Sequence, residues 1–139
     1  MAEVPKLRQT VLDTTDARGL AEFYRQLLGY TYRDGDEPPA AGEPDERGKD
    51  WLVLRAPETG HGLAFQQVSA LAEATWPEHT VPQQLHLDMT VDSVEQLEAQ
   101  TKRVLELGAR LLRDRIDDHE EPLRVFADPA GHPFCIFVG

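Results

Sequence analysis

The chain switches between two hydrophobic periods, and the switches mark its elements. The clearest alternation runs over residues 85–91 (LHLDMTV). There Leu85, Leu87, Met89 and Val91 alternate with His86, Asp88 and Thr90, the two-residue period of a half-buried strand. Residues 7–13 (LRQTVLD) read as an earlier strand. Each strand runs into a helical stripe. After the first, Asp16 is placed to cap a helix whose Leu20, Phe23, Leu27 and Leu28 share one face, and Gly29 stands where a left-handed C-cap is expected. After the second, Asp92 or Ser93 is the cap, with Glu95 or Gln96 completing a capping box. Val94, Leu97, Thr101, Val104 and Leu105 form that buried stripe, and Gly108 ends it.

Three strands follow each helix. In the first half they are residues 30–33, Trp51–Arg55 and 62–68, the last two joined by a turn around 57–60. Residues 34–50, rich in Gly, Pro and acidic side chains, form a loop that is long for a compact domain and reads as an insertion or a lid. In the second half, residues 109–116 are a strand and 117–121 an acidic turn. Leu123–Ala127 and Pro133–Val138 then form a hairpin. Its turn, Asp128-Pro129-Ala130-Gly131, has the residue order of a type I turn. Phe134, Ile136 and Val138 point one way and Cys135 and Phe137 the other. Both faces are apolar, so both should be covered.

The order βαβββ therefore occurs twice. The predicted fold is α+β, a single domain over residues 1–139. Module one covers about 5–69, an irregular linker with Trp76-Pro77 covers 70–82, and module two covers about 83–139. Two curved, mixed four-stranded sheets would surround a cleft with the helices outside. Cys135 and Phe137 would line that cleft.

Composition narrows the function classes. A formal charge of −11 argues against nucleic acid, which needs clustered Lys and Arg. It would attract a cationic ligand, or simply keep the surface soluble. The start has no apolar signal-peptide core, and no apolar run approaches membrane-spanning length. Cys135 is the single cysteine, so no disulfide forms within the chain. These features place the protein in the cytoplasm, away from membranes.

Phe23-Tyr24 with Leu28-Gly29, the final Asp128-Pro129-Ala130-Gly131 turn, and the stretch from Trp76-Pro77 through Pro82-Gln83-Gln84-Leu85-His86-Leu87-Asp88 together resemble the vicinal oxygen chelate superfamily. That superfamily includes glyoxalase I, bleomycin-resistance proteins, fosfomycin-resistance enzymes and extradiol dioxygenases, and the match is to its glyoxalase-like branch. The resemblance implies paired βαβββ modules, often in a homodimer. It also implies a cleft that in many members holds a divalent metal on the first and last strands of each module. The corresponding positions here are Gln9, Gln66, His86 and Cys135, with Gln67 replacing Gln66 if the register slips by one. They make a poor set. Cys135 stands where the pattern has Glu, and Gln9 where it has His, whereas Mn²⁺, Fe²⁺ and Mg²⁺ favour histidines and carboxylates.

His86 and Asp88 share a strand face, and His86 can act as ligand, as general base or as half of a hydrogen-bonded wall. Cys135 among Phe134, Ile136 and Phe137 reads as an inert packed thiol. Trp51 and Trp76 can stack on a planar cation, or can fill the core and plug the linker. His61, His79, His119 and His132 fall in turns or loops. The expected function is metal-independent binding of a small organic molecule by Gln9, Gln66, His86, Asp88, Cys135, Phe137 and Trp51. The alternatives are a divalent-metal lyase, isomerase or dioxygenase, and a metal-free acid/base enzyme using His86 and Asp88 as catalytic residues.

Overall fold

The computed structural model describes residues 4–58 and 60–139. Met1–Glu3 and Thr59 of the 57–60 turn lie outside the described residues. The chain forms two compact units, Met1–Leu71 and Ala72–Gly139. Each holds one four-stranded mixed sheet and one helix, so the fold is α+β with the βαβββ order twice. No helix among the described residues is long and apolar enough to cross a membrane.

In the first unit β1 (Gln9–Thr14) leads to α1 (Ala17–Leu28), then β2 (Thr31–Tyr32), β3 (Trp51–Arg55) and β4 (Gly62–Gln67). The sheet order is β1-β4-β3-β2, with β1 and β4 parallel. The Asp16 side chain accepts from the Gly19 N–H at 3.0 Å and Gly29 takes the left-handed conformation. Helix α1 buries Leu20, Phe23, Tyr24 and Leu27 against the sheet, and the Tyr24 ring stacks 5.9 Å from Phe65. Phe65 therefore faces the helix, and so do its neighbours two away, Leu63 and Gln67. The Gln67 side chain accepts from the first helical N–H, Ala17, at 2.8 Å and donates to the Thr15 carbonyl at 2.7 Å.

The 34–50 loop is clamped to its own unit. Asp36 is fully buried, and its carboxylate accepts from the Val53 N–H at 2.9 Å and pairs with Arg33 and Arg47. Arg18 of α1 binds Asp45 in a fork (2.7 and 2.9 Å), donates to the Asp36 carbonyl and lies over the Tyr32 ring.

In the second unit β5 (Leu87–Val91) leads to α2 (Val94–Glu106), β6 (Arg110–Arg115), β7 (Leu123–Ala127) and β8 (Pro133–Val138). The order is β5-β8-β7-β6, with β5 and β8 parallel. Ser93, not Asp92, caps α2, accepting from the Gln96 N–H. Leu97, Thr101 and Val104 are buried. Val94 and Leu105, expected on the same stripe, are more than 40% exposed, because the covered face of this helix is narrower than its apolar pattern. The Asp128 carboxylate holds the hairpin turn by accepting from the Ala130 and His132 N–H groups. Gly131 takes φ 95°, a conformation that costs glycine least. The stretch expected to be a linker at 70–82 packs with the second unit from Ala72 onward.

Candidate functional site

The helix-free face of the second sheet is built from every other residue of its strands. Cross-strand register places Asp88, Cys135, Val125 and Arg113 in one row. Phe137, Leu123 and Arg115 form the next. This face floors a cavity of about 290 Å³, walled by Trp76 and Pro77 and edged by Glu121. That is the small end of the size range for ligand pockets, roughly 300–1,000 Å³.

His86 stands at the polar end. Its ring stacks on Trp76 with centroids 4.7 Å apart and planes at 11°. Nε2 lies 3.3 Å from Asp88 Oδ1, and Nδ1 lies 3.1 Å from the Gln83 side-chain amide. The Trp76 indole N–H can only donate, and it meets that same amide. The amide orientation that satisfies both ends puts the Gln83 oxygen 2.8 Å from the indole nitrogen. The Gln83 nitrogen then donates to His86 Nδ1 and to the Leu85 carbonyl. With Nδ1 accepting, the ring proton belongs on Nε2, facing Asp88.

Cys135 completes the cluster. One donor atom each from His86, Asp88 and Cys135 all lie within 4.8 Å of one another. Cys135 as a whole is 6% exposed. Burial, with the Asp88 carboxylate beside it, pushes its pKa up to about 11.

The remaining expected site residues sit in the first unit. Gln66 lies on the helix-free face, opposite Asp13 and Trp51. Gln67 is occupied in capping α1, which decides between the two glutamines. Gln9 lies opposite Gly62, four residues along from the Asp13–Gln66 pair. At about 3.3 Å per residue that is about 13 Å, too far for one ion. Gln9 instead lines a separate cavity of about 340 Å³ with Lys6, Arg8 and Arg55. The two parallel strand pairs end in equivalent positions, Thr14–Gln67 and Val91–Val138. Counting back from these ends, Val11 and Ala64 match Asp88 and Cys135, and Gln9 matches His86. Gln66 matches Phe137.

A family model for the glyoxalase-like domain matches residues 9–137. The chain belongs to the glyoxalase-like domain family. Solved structures agree in fold. A glyoxalase/bleomycin resistance protein/dioxygenase family enzyme from Burkholderia phytofirmans PsJN is 16% identical, with 96% of this chain and 98% of that one covered and a TM-score of 0.69. A glyoxalase/dioxygenase from Nostoc punctiforme is 20% identical, with 99% and 96% covered and a TM-score of 0.68. A variant of the fosfomycin resistance protein FosX from Listeria monocytogenes, solved with Mn(II) and 1S,2S-dihydroxypropylphosphonic acid, is 16% identical. It covers 99% and 94% with a TM-score of 0.69. Among curated proteins none matches.

The glyoxalase-like fold raises the question of a metal. His86, Asp88 and Cys135 converge as three ligands would. Two of the three would bind only after a proton moves. A metal must displace the Cys135 proton, held to about 11, because the thiolate is the ligand form. Binding through Nε2 needs the other tautomer, with Nδ1–H donating to a Gln83 oxygen 3.1 Å away. A hard Mn²⁺ or Mg²⁺ has one carboxylate to bind here.

Sequence reasoning missed Gln83 and the arginines of β6, and weighed Trp76 as a cation stacker or a linker plug without linking it to His86, on which it stacks. Gln83 was visible only as part of the stretch that carries the family resemblance. Arg113 and Arg115 alternate with Asp114 along β6, which placed them on one face of a strand without saying what that face bounds.

Proposed function

We propose that the protein binds a small organic molecule in the second unit's cavity without a metal, His86 and Asp88 forming its polar end. The supporting observation is the contact chain Trp76–Gln83–His86–Asp88. It occupies Nδ1 and turns the Nε2 proton toward Asp88, so neither ring nitrogen is a free lone pair for a metal or for general-base work. Asp88, which is exposed, is the group with acceptor capacity to spare for a ligand. Cys135 and Phe137 supply floor. On this reading Gln9, Gln66 and Trp51 of the first unit are not ligand contacts in this cavity. The protein acts as a cytoplasmic homodimer, which light scattering on purified protein tests.

The convergence of His86, Asp88 and Cys135 favours one second reading, a metal-dependent lyase, isomerase or dioxygenase. With its single thiol donor such a site would suit Zn²⁺ better than Mg²⁺. Two measurements separate the readings. Elemental analysis of untagged protein, purified without chelators, should find no stoichiometric metal. Long-range ¹⁵N spectra of His86 should show Nε2 protonated and Nδ1 bare. One equivalent of metal that disappears in His86→Ala, together with Nδ1 protonated, would replace the first reading with the second.

A further inference from the structure

The charge of the whole chain points to cationic ligands, but the cavity does not. Its floor runs across the sheet from Asp88 over Cys135 and Val125 to Arg113. That is three strand spacings, about 14 Å between the outer backbones, and the outer side chains lean in from both ends. Arg115 lies one row on and is paired with Asp118. Arg113 is exposed and has no hydrogen bond or ion-pair partner among the described residues. The acidic groups bounding the cavity are Asp88, at the opposite end of the row, and Glu121. Glu121 is two residues beyond Leu123, on the far side of Arg115 from Arg113. Charges elsewhere on the surface are screened over about 8 Å at physiological salt, so the guanidinium dominates at its own end.

We infer that the cavity takes a small organic carboxylate, its head on Arg113 and its apolar body over Val125 and Cys135 against Trp76. A guanidinium offers a planar fork that matches a carboxylate with two parallel hydrogen bonds. The apolar floor between Arg113 and Asp88 leaves room for a body but not for a second charge. The inference rests on the ligand-binding reading above and names its ligand class.

Three probes of one shape test it: phenylacetate, phenylacetamide and 2-phenylethylamine. Binding is followed by titration while observing the Trp76 indole N–H in ¹⁵N spectra. Phenylacetate should bind tightest. Arg113→Gln should weaken it at least tenfold, and Arg113→Lys, which keeps the charge, should recover part of the loss. Arg113 is an exposed residue of a strand at the sheet edge, and unchanged spectra elsewhere would show that the variants fold. Equal or tighter binding of the amine, indifference to Arg113→Gln, or no binding by any probe would overturn the inference. Its failure is separable from that of the metal-free reading. Stoichiometric metal with Arg113-dependent phenylacetate binding sinks only the latter. Metal-free protein whose probe binding ignores Arg113 sinks only the former.

Discussion

The two units share one frame and use it for opposite ends. Both run strand, helix, three strands, and both order their sheets with the first strand parallel to the last. At matched positions the first unit has Val11, Ala64 and Val53 in a row, and the second has Asp88, Cys135 and Val125. In the first unit several polar residues serve structure, while Gln9 and Gln66 stay on the helix-free face. Gln67 caps a helix, Asp36 anchors a loop and Arg18 clamps it. In the second, polar residues stand on the open face around a cavity. A duplicated scaffold can place its chemistry in one copy and let polar positions of the other serve stability.

The sharpest way to break this contrast is to remove one aspartate from each unit. Asp36→Ala leaves Arg33, Arg47 and the Val53 N–H without their shared carboxylate inside the protein. Both arginines are more than a third exposed and can turn to water, so the cost is chiefly the unsatisfied Val53 N–H, about 1–3 kcal/mol. Asp88→Ala removes an exposed group and should cost less than about 0.5 kcal/mol. Urea denaturation of the two variants measures both. Similar losses would mean that Asp88 is structural and that the division of labour is wrong.

Two glutamines make a finer version of the same test. Gln67→Leu removes the acceptor for the first N–H of α1, and Gln83→Leu removes the acceptor for the Trp76 indole. Each should cost on the order of 1 kcal/mol. Only Gln83→Leu should alter the ¹⁵N pattern of His86, because Nδ1 loses its donor and the ring is free to exchange tautomers. A change of His86 in both variants, or in neither, would remove Gln83 from the site.

These residues also show what the sequence could and could not tell. The strand 85–91, the capped helices and the Asp128–Gly131 turn are local patterns, set by side-chain period and turn chemistry within a few residues. They carried the α+β fold and the twofold βαβββ order. Alternation put His86 and Asp88 together on the polar face of a well-marked strand, and they lie 3.3 Å apart. Gln66 was matched to Cys135 by spacing along the chain, yet the register gives Ala64 that place. Register depends on where each strand begins, and loops of different length shift that count. Arg113 was missed for a related reason. Its place comes from a row across four strands, and cross-strand neighbours are set by pairing rather than by distance in sequence.

Cys135 gives a smaller effect with a clear sign. Its thiol is raised from near 9 to about 11 by burial and by Asp88. The folded state therefore favours the protonated form. The stability this contributes is present below about pH 9 and is lost as the pH rises toward 11. Alkylation by iodoacetamide follows the thiolate, so its rate in folded protein should still be climbing at pH 10. Asp88→Asn should move that rise to lower pH. A plateau near pH 9 would mean that the thiol is neither buried nor beside a carboxylate.

The smallest effect belongs to the first unit's loop. Arg18 holds the Asp45 carboxyl down to about 2, chiefly through the hydrogen-bonded fork, and Asp45 holds the Arg18 guanidinium above its usual range. A carboxylate depressed on folding contributes stability above its unfolded value near 4, lost as the pH falls through about 2. The pair is partly open to solvent, where ion pairs contribute little, so the global midpoint should barely move between pH 7 and pH 4. The local consequence is larger, because the fork helps hold residues 34–50, alongside Asp36 and the Gln67 N–H bond to the Asp50 carbonyl. Arg18→Lys keeps a charge but loses the fork. Amide exchange in residues 37–46 should speed up severalfold in that variant at pH 7, while exchange around Asp36 and Val53 stays slow. Uniform acceleration across the loop would mean that Asp36 does not hold it independently, and the first unit would then be less committed to structure than its buried carboxylate implies.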